Sequence, residues 1–301
     1  MANSSLPGAK FVDPVVLSRI GNLELIAKTV VDGLINGTHR APFYGASVDF
    51  AEHRGYVAGD DIRRLDWRVY ARTDKYYIKE FEADSNANFS VLLDVSKSMG
   101  FGSKLSKLDY AKTLAACLAY LANAQRDRVG LITFDEAVIE HIPPSAKHLD
   151  VVLHALDRAK ASKPGQLVAP LRKLAEHFGR RGIIVVISDF YAEPEEIFHA
   201  VGPIVHRGND VVLFHVMDPQ ELDFSFSEPS SFEDMESGDQ MPIVPSKLAA
   251  DYRALVQAHI DTLSKKAAQQ PVDYMLLNTS MPLDYALFRF LSMRQRLARS
   301  R

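Results

Sequence analysis

The run Gly182-Ile-Ile-Val-Val-Ile187 carries no polar side chain until Ser188-Asp189 ends it. A strand with no alternating polar face has to be covered on both sides, which is the condition of a strand inside a parallel sheet. Residues 89–93, 129–134, 210–216 and 272–277 repeat the pattern, and residues 137–142 read as an antiparallel neighbour of 129–134. Helical apolar periods lie between and after them, at 108–122, 149–159, 167–178, 195–205, 247–268 and 283–298. Apolar strands alternating with amphipathic helices predict an α/β fold: a doubly wound, mostly parallel sheet with helices on both faces.

Two regions depart from that alternation. Residues 1–85 read as an N-terminal extension, with one amphipathic helix over 15–35 that shows Val15, Val16, Ile20, Leu23, Ile26, Val30 and Leu34 at helical spacing. A stretch rich in arginine and aspartate follows around Trp67, and there Asp60, Asp61, Asp66 and Asp74 interleave with Arg63, Arg64, Arg68 and Arg72. That mixture points to internal ion pairs about an anchored tryptophan rather than to a phosphate-binding surface. Residues 75–81 then supply a strand that either extends the sheet or forms a small β-subdomain. The second departure is an insertion at 221–246, read as a β-hairpin turning at Ser237-Gly238. It is acidic through Glu228, Glu233, Asp234, Glu236 and Asp239. The principal domain is expected to span 86–301.

Composition narrows the function classes. A net charge of −3 over 301 residues gives no bulk attraction for nucleic acid or anionic membranes. One cysteine, Cys117, excludes an internal disulfide framework and a multi-cysteine metal cage. It stands in an Ala/Leu-rich helical run, the setting of a small buried hydrophobe. No run reaches the roughly 18 apolar residues of a membrane-spanning helix, and no basic start leads into an apolar block as in a signal peptide. A cytoplasmic location and no membrane insertion are the expectations.

The chemistry concentrates where the apolar runs end. Strand 89–93 gives way to Asp94-Val-Ser96-Lys-Ser98, a carboxylate and two hydroxyls separated by single residues. Hard oxygens in that pattern suit Mg²⁺ or Mn²⁺, although Asp94 and Ser96 serve equally as caps or turn formers. Doubly wound sheets bind ligands beyond the carboxyl ends of their strands, where strand order reverses. If 89–93 and 183–187 are neighbours, Asp94 and Asp189 converge there. Asp189 is also a ready helix N-cap beside Glu193, Glu195 and Glu196. Enzyme signatures are missing. Ser96 occupies the position where a phosphoaspartyl hydrolase needs its second aspartate, and there is no Gly-x₄-Gly-Lys-Ser/Thr, Gly-x-Ser-x-Gly or His-Glu-x-x-His motif.

Asp94-x-Ser96-x-Ser98 with the later Asp189 resembles the metal-ion-dependent adhesion site of von Willebrand factor A domains. Gly59-Asp60, Arg63, Asp66-Trp67, Ala71-Arg72, Phe81-Glu82 and His215-Val-Met-Asp218-Pro resemble one bacterial branch of that fold, the domain-of-unknown-function 58 family. The resemblance implies a non-enzymatic interaction protein acting with a MoxR-type AAA+ ATPase to assemble or activate another complex. It further implies a divalent ion with one open position for a carboxylate of the client. The adhesion site has a threonine in a middle loop; here the matching stretch is Lys163-Pro-Gly-Gln166-Leu, with Gln166 in the threonine's place. An amide oxygen ligates cations, but on a longer side chain. A metal-independent scaffold is the alternative.

Overall fold

A computed structural model describes residues 13–18, 21–37, 50–56, 65–81, 87–175, 178, 181–226, 230–234, 240–243 and 245–299. Two N-terminal helices, α1 (Pro14–Leu17) and α2 (Leu23–Gly37), stand where one had been expected. Gly21 between them has φ +66°, the left-handed region that interrupts a helix. A separate small unit within residues 38–86 contains β1 (Phe50–Gly55), α3 (Trp67–Thr73) and β2 (Tyr77–Phe81).

In that unit β1 and β2 pair antiparallel as a two-stranded sheet of their own, so the 75–81 strand does not join the main sheet. Asp66 accepts a hydrogen bond from the Val69 amide at 3.2 Å and so caps α3. Trp67 is 59% exposed, which corrects the expectation of an anchored tryptophan. Asp60, Asp61, Arg63 and Arg64 lie outside the described residues.

The larger unit groups α1 and α2 with everything from residue 87 on. In chain order it continues with β3 (Asn88–Asp94), α4 (Lys107–Ala124), β4 (Arg128–Phe134), β5 (Val138–Ser145), α5 (Leu149–Arg158), α6 (Val168–Ala175) and β6 (Gly182–Ser188). Then come α7 (Pro194–His206), β7 (Asp210–Met217), α8 (Pro219–Asp223), β8 (Ser230–Glu233), β9 (Gln240–Ile243), α9 (Pro245–Ala268), β10 (Val272–Asn278) and α10 (Leu283–Arg299). β8 and β9 form the antiparallel hairpin expected in the insertion; its Ser237-Gly238 turn lies outside the described residues.

Six strands form one sheet in the order β10-β7-β6-β3-β4-β5, all parallel except the edge strand β5. Numbered by chain order within the sheet and read from the β5 edge, that is 3-2-1-4-5-6, a doubly wound arrangement. Winding reverses between β3 and β6, which pair in register from Asn88↔Gly182 to Leu93↔Ile187.

Alternation along each strand decides which core a side chain enters. Val91, Leu93, Val185, Ile187, Phe214 and Val216 pack with α2, α4, α5 and α10 side chains on one face. Leu92, Ile184, Val186, Val211 and Leu213 pack with α6, α7 and α9 on the other. α4 starts at Ser106, whose hydroxyl accepts the Asp109 amide at 3.0 Å, and it is buried along most of its length because α2 covers its outer side. Cys117 lies in that buried run, and burial pushes its thiol up to about 12, away from thiolate chemistry. No helix among the described residues is long and apolar enough to cross a membrane.

Leu114 on α4 has no solvent exposure. Leu114→Ala is expected to lower unfolding free energy by about 2–5 kcal/mol, read from the denaturant midpoint. A loss below ~1 kcal/mol would mean that α4 is not the centre of the larger core.

Candidate functional site

The reversal of winding places the ends of β3 and β6 side by side, and both end in polar residues. Asp94 closes β3. Its Oδ1 accepts the Ser96 amide at 2.9 Å, and its Oδ2 accepts the Ser188 hydroxyl at 2.6 Å from the end of β6. The chain then turns through a short 3₁₀ segment, Lys97–Gly100. The Ser96 and Ser98 hydroxyls stand 3.0 Å apart. Asp94, Ser96, Ser188 and Asp189 are buried, and Ser98 is half-buried.

The middle loop reaches the same point. The Lys97 amide donates to the Lys163 carbonyl at 2.7 Å, and Ser96 bridges to Lys163 as an isolated parallel pair. A Cβ at Gly165 would stand 2.3 Å from the Ser96 Cβ, so the loop can pass this closely only with glycine there. Gln166 is held through its backbone, its amide donating to the Asp135 carbonyl at 3.2 Å, while the residue itself is exposed. The structure therefore brings Asp94, Ser96, Ser98 and the Gly165-Gln166 loop together, with Asp189 directly after Ser188.

A lysine absent from the sequence reading completes the arrangement. The Lys107 side chain, at the start of α4, has no solvent exposure and donates to Asp189 Oδ2 at 2.8 Å and to Glu221 Oε1 at 2.7 Å. Its Nζ lies 4.8 Å from the centre of the Tyr191 ring, a cation–π contact. Burial opposes its charge, but attraction to Asp189 and Glu221 outweighs that, and its pKa is raised. Glu221 is aimed by a capping box in which its other oxygen accepts the Asp218 amide at 2.9 Å. Asp218 also accepts from Ser103, Gln220 and Thr279, tying the loop before α4 to the ends of β7 and β10.

Asp94 has a different environment. Burial, then the negative charge of Asp189, push its carboxyl up to about 7 against hydrogen bonds from Ser188 and Ser96. His215 on β7 bonds the Tyr274 hydroxyl at 2.7 Å and packs against Phe190; burial drives it down to about 3, so it stays neutral.

The donor set fits a divalent ion. Two oxygens 3.0 Å apart match adjacent corners of an octahedron with Mg–O bonds of about 2.0–2.1 Å. The Asp94 carboxylate beside them is the one that lacks a lysine partner in its hydrogen bonding. Among the described residues no three His, Cys, Asp or Glu side chains gather around one point, so any such ion depends on the serine hydroxyls.

The family described as a protein of unknown function, DUF58, matches residues 52–262. The chain belongs to that family. Over 292 residues this DUF58 chain is 27% identical to uncharacterized proteins of Mycobacterium bovis (Mb1516) and Mycobacterium tuberculosis (Rv1480), covering 94% of its own length and 91% of theirs. Among solved structures it is similar to BatB from Bacteroides thetaiotaomicron, with 17% identity and TM-score 0.46 over 70% of this chain and 99% of that one. It is also similar to an aerotolerance-related membrane protein from Bacteroides fragilis, with 19% identity and TM-score 0.48 over 69% and 99%. Neither likeness reaches a TM-score of 0.5.

Lys107→Met would leave the buried Asp189 and the half-buried Glu221 without their cation, and a loss of about 3–5 kcal/mol is expected in denaturant unfolding. A neutral substitution would show that solvent reaches the cluster. Asp94 gives a pH test. Its folded pKa of about 7 lies above the unfolded value of about 3.9, so between those limits the folded state holds a proton the unfolded state lacks. Its contribution is therefore fully present below pH ~4 and is lost as pH rises towards ~7. In EDTA, the stability of the wild type relative to Asp94→Asn should fall across that window; a constant difference would contradict the raised pKa.

Proposed function

We propose that this DUF58 protein is a non-enzymatic interaction module that binds a partner carboxylate through a divalent ion at the Asp94–Ser96–Ser98 loop. One observation carries the reading: the carboxyl ends of β3 and β6, at the point where winding reverses, bring Asp94, the Ser96/Ser98 hydroxyl pair, Ser188 and Asp189 together. Asp94 and the two hydroxyls would hold the ion, directly or through water, with Asp189 contributing the oxygen that Lys107 leaves available. Bound there, Mg²⁺ or Mn²⁺ supplies a coordination position for an external carboxylate.

The chain's own groups do the rest. Ser188 and the Ser96 amide orient the Asp94 carboxylate. Lys107 fixes Asp189, and the Gly165 loop holds the Ser96 backbone. Gln166, exposed beside Gly165, is the residue that would stand in place of the adhesion-site threonine. Membership of the family, through the resemblance described above, supports a MoxR-type AAA+ ATPase as the partner class and a client with an exposed carboxylate as the target.

Thermal unfolding in EDTA, then with millimolar Mg²⁺ or Mn²⁺, tests the ion. Binding to the folded state alone adds about 2.7 kcal/mol at a hundredfold excess over Kd. The wild type is expected to gain Tm and Asp94→Ala to gain none. An unchanged wild-type Tm would transfer the function to a metal-independent scaffold.

A further inference from the structure

Ser96 and Lys163 stand opposite each other as the isolated parallel pair between the Asp94 loop and the middle loop, and the Lys97 amide donates to the Lys163 carbonyl at 2.7 Å. Residues paired in this way lie about 4.8 Å apart and send their side chains to the same side. The Ser96 hydroxyl stands 3.0 Å from that of Ser98, so Lys163 leaves the backbone on the side where the two hydroxyls meet. Gly165, two residues on, follows the same alternation: a Cβ there would fall 2.3 Å from the Ser96 Cβ and 3.0 Å from the Ser96 hydroxyl oxygen. Lys163 is exposed, and among the described residues it enters no ion pair. Lys107, by contrast, has no exposure and is held by Asp189 and Glu221. It is closed to an incoming anion, whereas Lys163 is open to one.

We propose that Lys163 selects the partner's acid: the incoming carboxylate sets one oxygen on the divalent ion and the other on the Lys163 ammonium. This role presupposes the metal reading above. An ammonium beside the loop repels a divalent ion and attracts a carboxylate. Lys163 therefore weakens ion binding while no acid is present and favours the acid once the ion is there, so ion and partner bind cooperatively. The same group sets the identity of the ligand. An asparagine or glutamine offers the ion an oxygen, but its second polar atom is an N–H₂ donor, and an ammonium has only donors to meet it. An aspartate or glutamate presents an acceptor at both positions. The partner accordingly brings an Asp or Glu side chain whose two oxygens are both free.

Two measurements on the full chain test this. Tm against Mg²⁺ concentration gives the half-saturation of the ion. Anisotropy gives the affinity for the acid, in saturating Mg²⁺, with the peptide Gly-Ser-Gly-Asp-Gly-Ser-Gly and its counterpart with Asn for Asp. Both peptides are amidated at the C-terminus and carry a neutral fluorophore, so the aspartate is the one carboxylate. Lys163→Met should lower the Mg²⁺ half-saturation about fivefold, weaken the aspartate peptide about fivefold and shrink its advantage over the asparagine peptide by the same factor. Lys163→Arg keeps the charge and should stay near the wild type in both. Lys160→Met, at an exposed lysine earlier in the same loop, should move neither beyond about twofold. Opposite signs are the signature, because a distorted loop would weaken both. If Lys163→Met weakens both or leaves either unchanged, or if the wild type does not bind the aspartate peptide while Mg²⁺ raises its Tm, the role of Lys163 is overturned and the metal reading stands. If Mg²⁺ leaves the wild-type Tm unmoved, the metal reading fails and the role of Lys163 with it.

Discussion

An ammonium group with no exposure to water has to find opposite charge inside the protein, and Lys107 finds it in two acids from different parts of the chain. Asp189 follows β6, and Glu221 opens the insertion after β7. Lys107 itself begins α4, the helix that the larger core surrounds. Three segments are thus pinned at one point, each by a bond whose loss would leave a buried charge. Desolvation makes such a cluster a poor source of net stability, since apolar residues of the same volume often do as well. What it supplies is position: the start of α4 and the ends of β6 and β7 cannot shift independently while Lys107 bridges them.

That position is set by backbone topology before any side chain acts. The reversal between β3 and β6 leaves their carboxyl ends uncovered by a crossover helix, and Asp94 and Ser188 meet there at 2.6 Å. Gly165 extends the arrangement to a third loop, since any side chain there would collide with Ser96. The three site segments are separated by long stretches of sequence, yet each is fixed by an interaction with another, Ser188 with Asp94 and Lys163 with Lys97, while Asp135 after β4 holds Gln166.

Much of this was legible in the sequence, for identifiable reasons. Runs such as Ile183–Ile187 are unmistakable because burial on both faces removes every polar position, and the antiparallel edge strand showed by its Glu140 and His141 against inward Ile142. The meeting of Asp94 with the end of β6 followed once those strands were taken as neighbours. Lys107 was not legible: a lysine just after a serine cap reads as an ordinary first-turn surface residue, and its burial depends on Asp189 and Glu221, each more than eighty positions away. One signal was available. Asp218-Pro-x-Glu221 is an N-cap, a proline at the first helical position and a capping glutamate, which fixes where Glu221 points. Trp67 misled because size and hydrophobicity argue for burial, whereas the helix that carries it turns that face to solvent. The N-terminal helix misled because apolar spacing persists across Gly21, and periodicity alone does not register a glycine with positive φ.

Charge makes the metal reading more than a matter of motif. Of the three acids near the ends of β3, β6 and β7, Lys107 bonds two, Asp189 and Glu221. The third, Asp94, is bonded by a hydroxyl and an amide, which orient a carboxylate but do not neutralise it. Burial, and after it the charge of Asp189, pushes its carboxyl up to about 7; in the proposed reading a cation beside it would take the place of that proton. The Ser96 and Ser98 hydroxyls hydrogen-bond each other at 3.0 Å. In the proposed reading a divalent ion would use the carboxylate and both hydroxyls together. In that reading the hydroxyl pair, more than the acids, would set the loop apart from an ordinary buried aspartate.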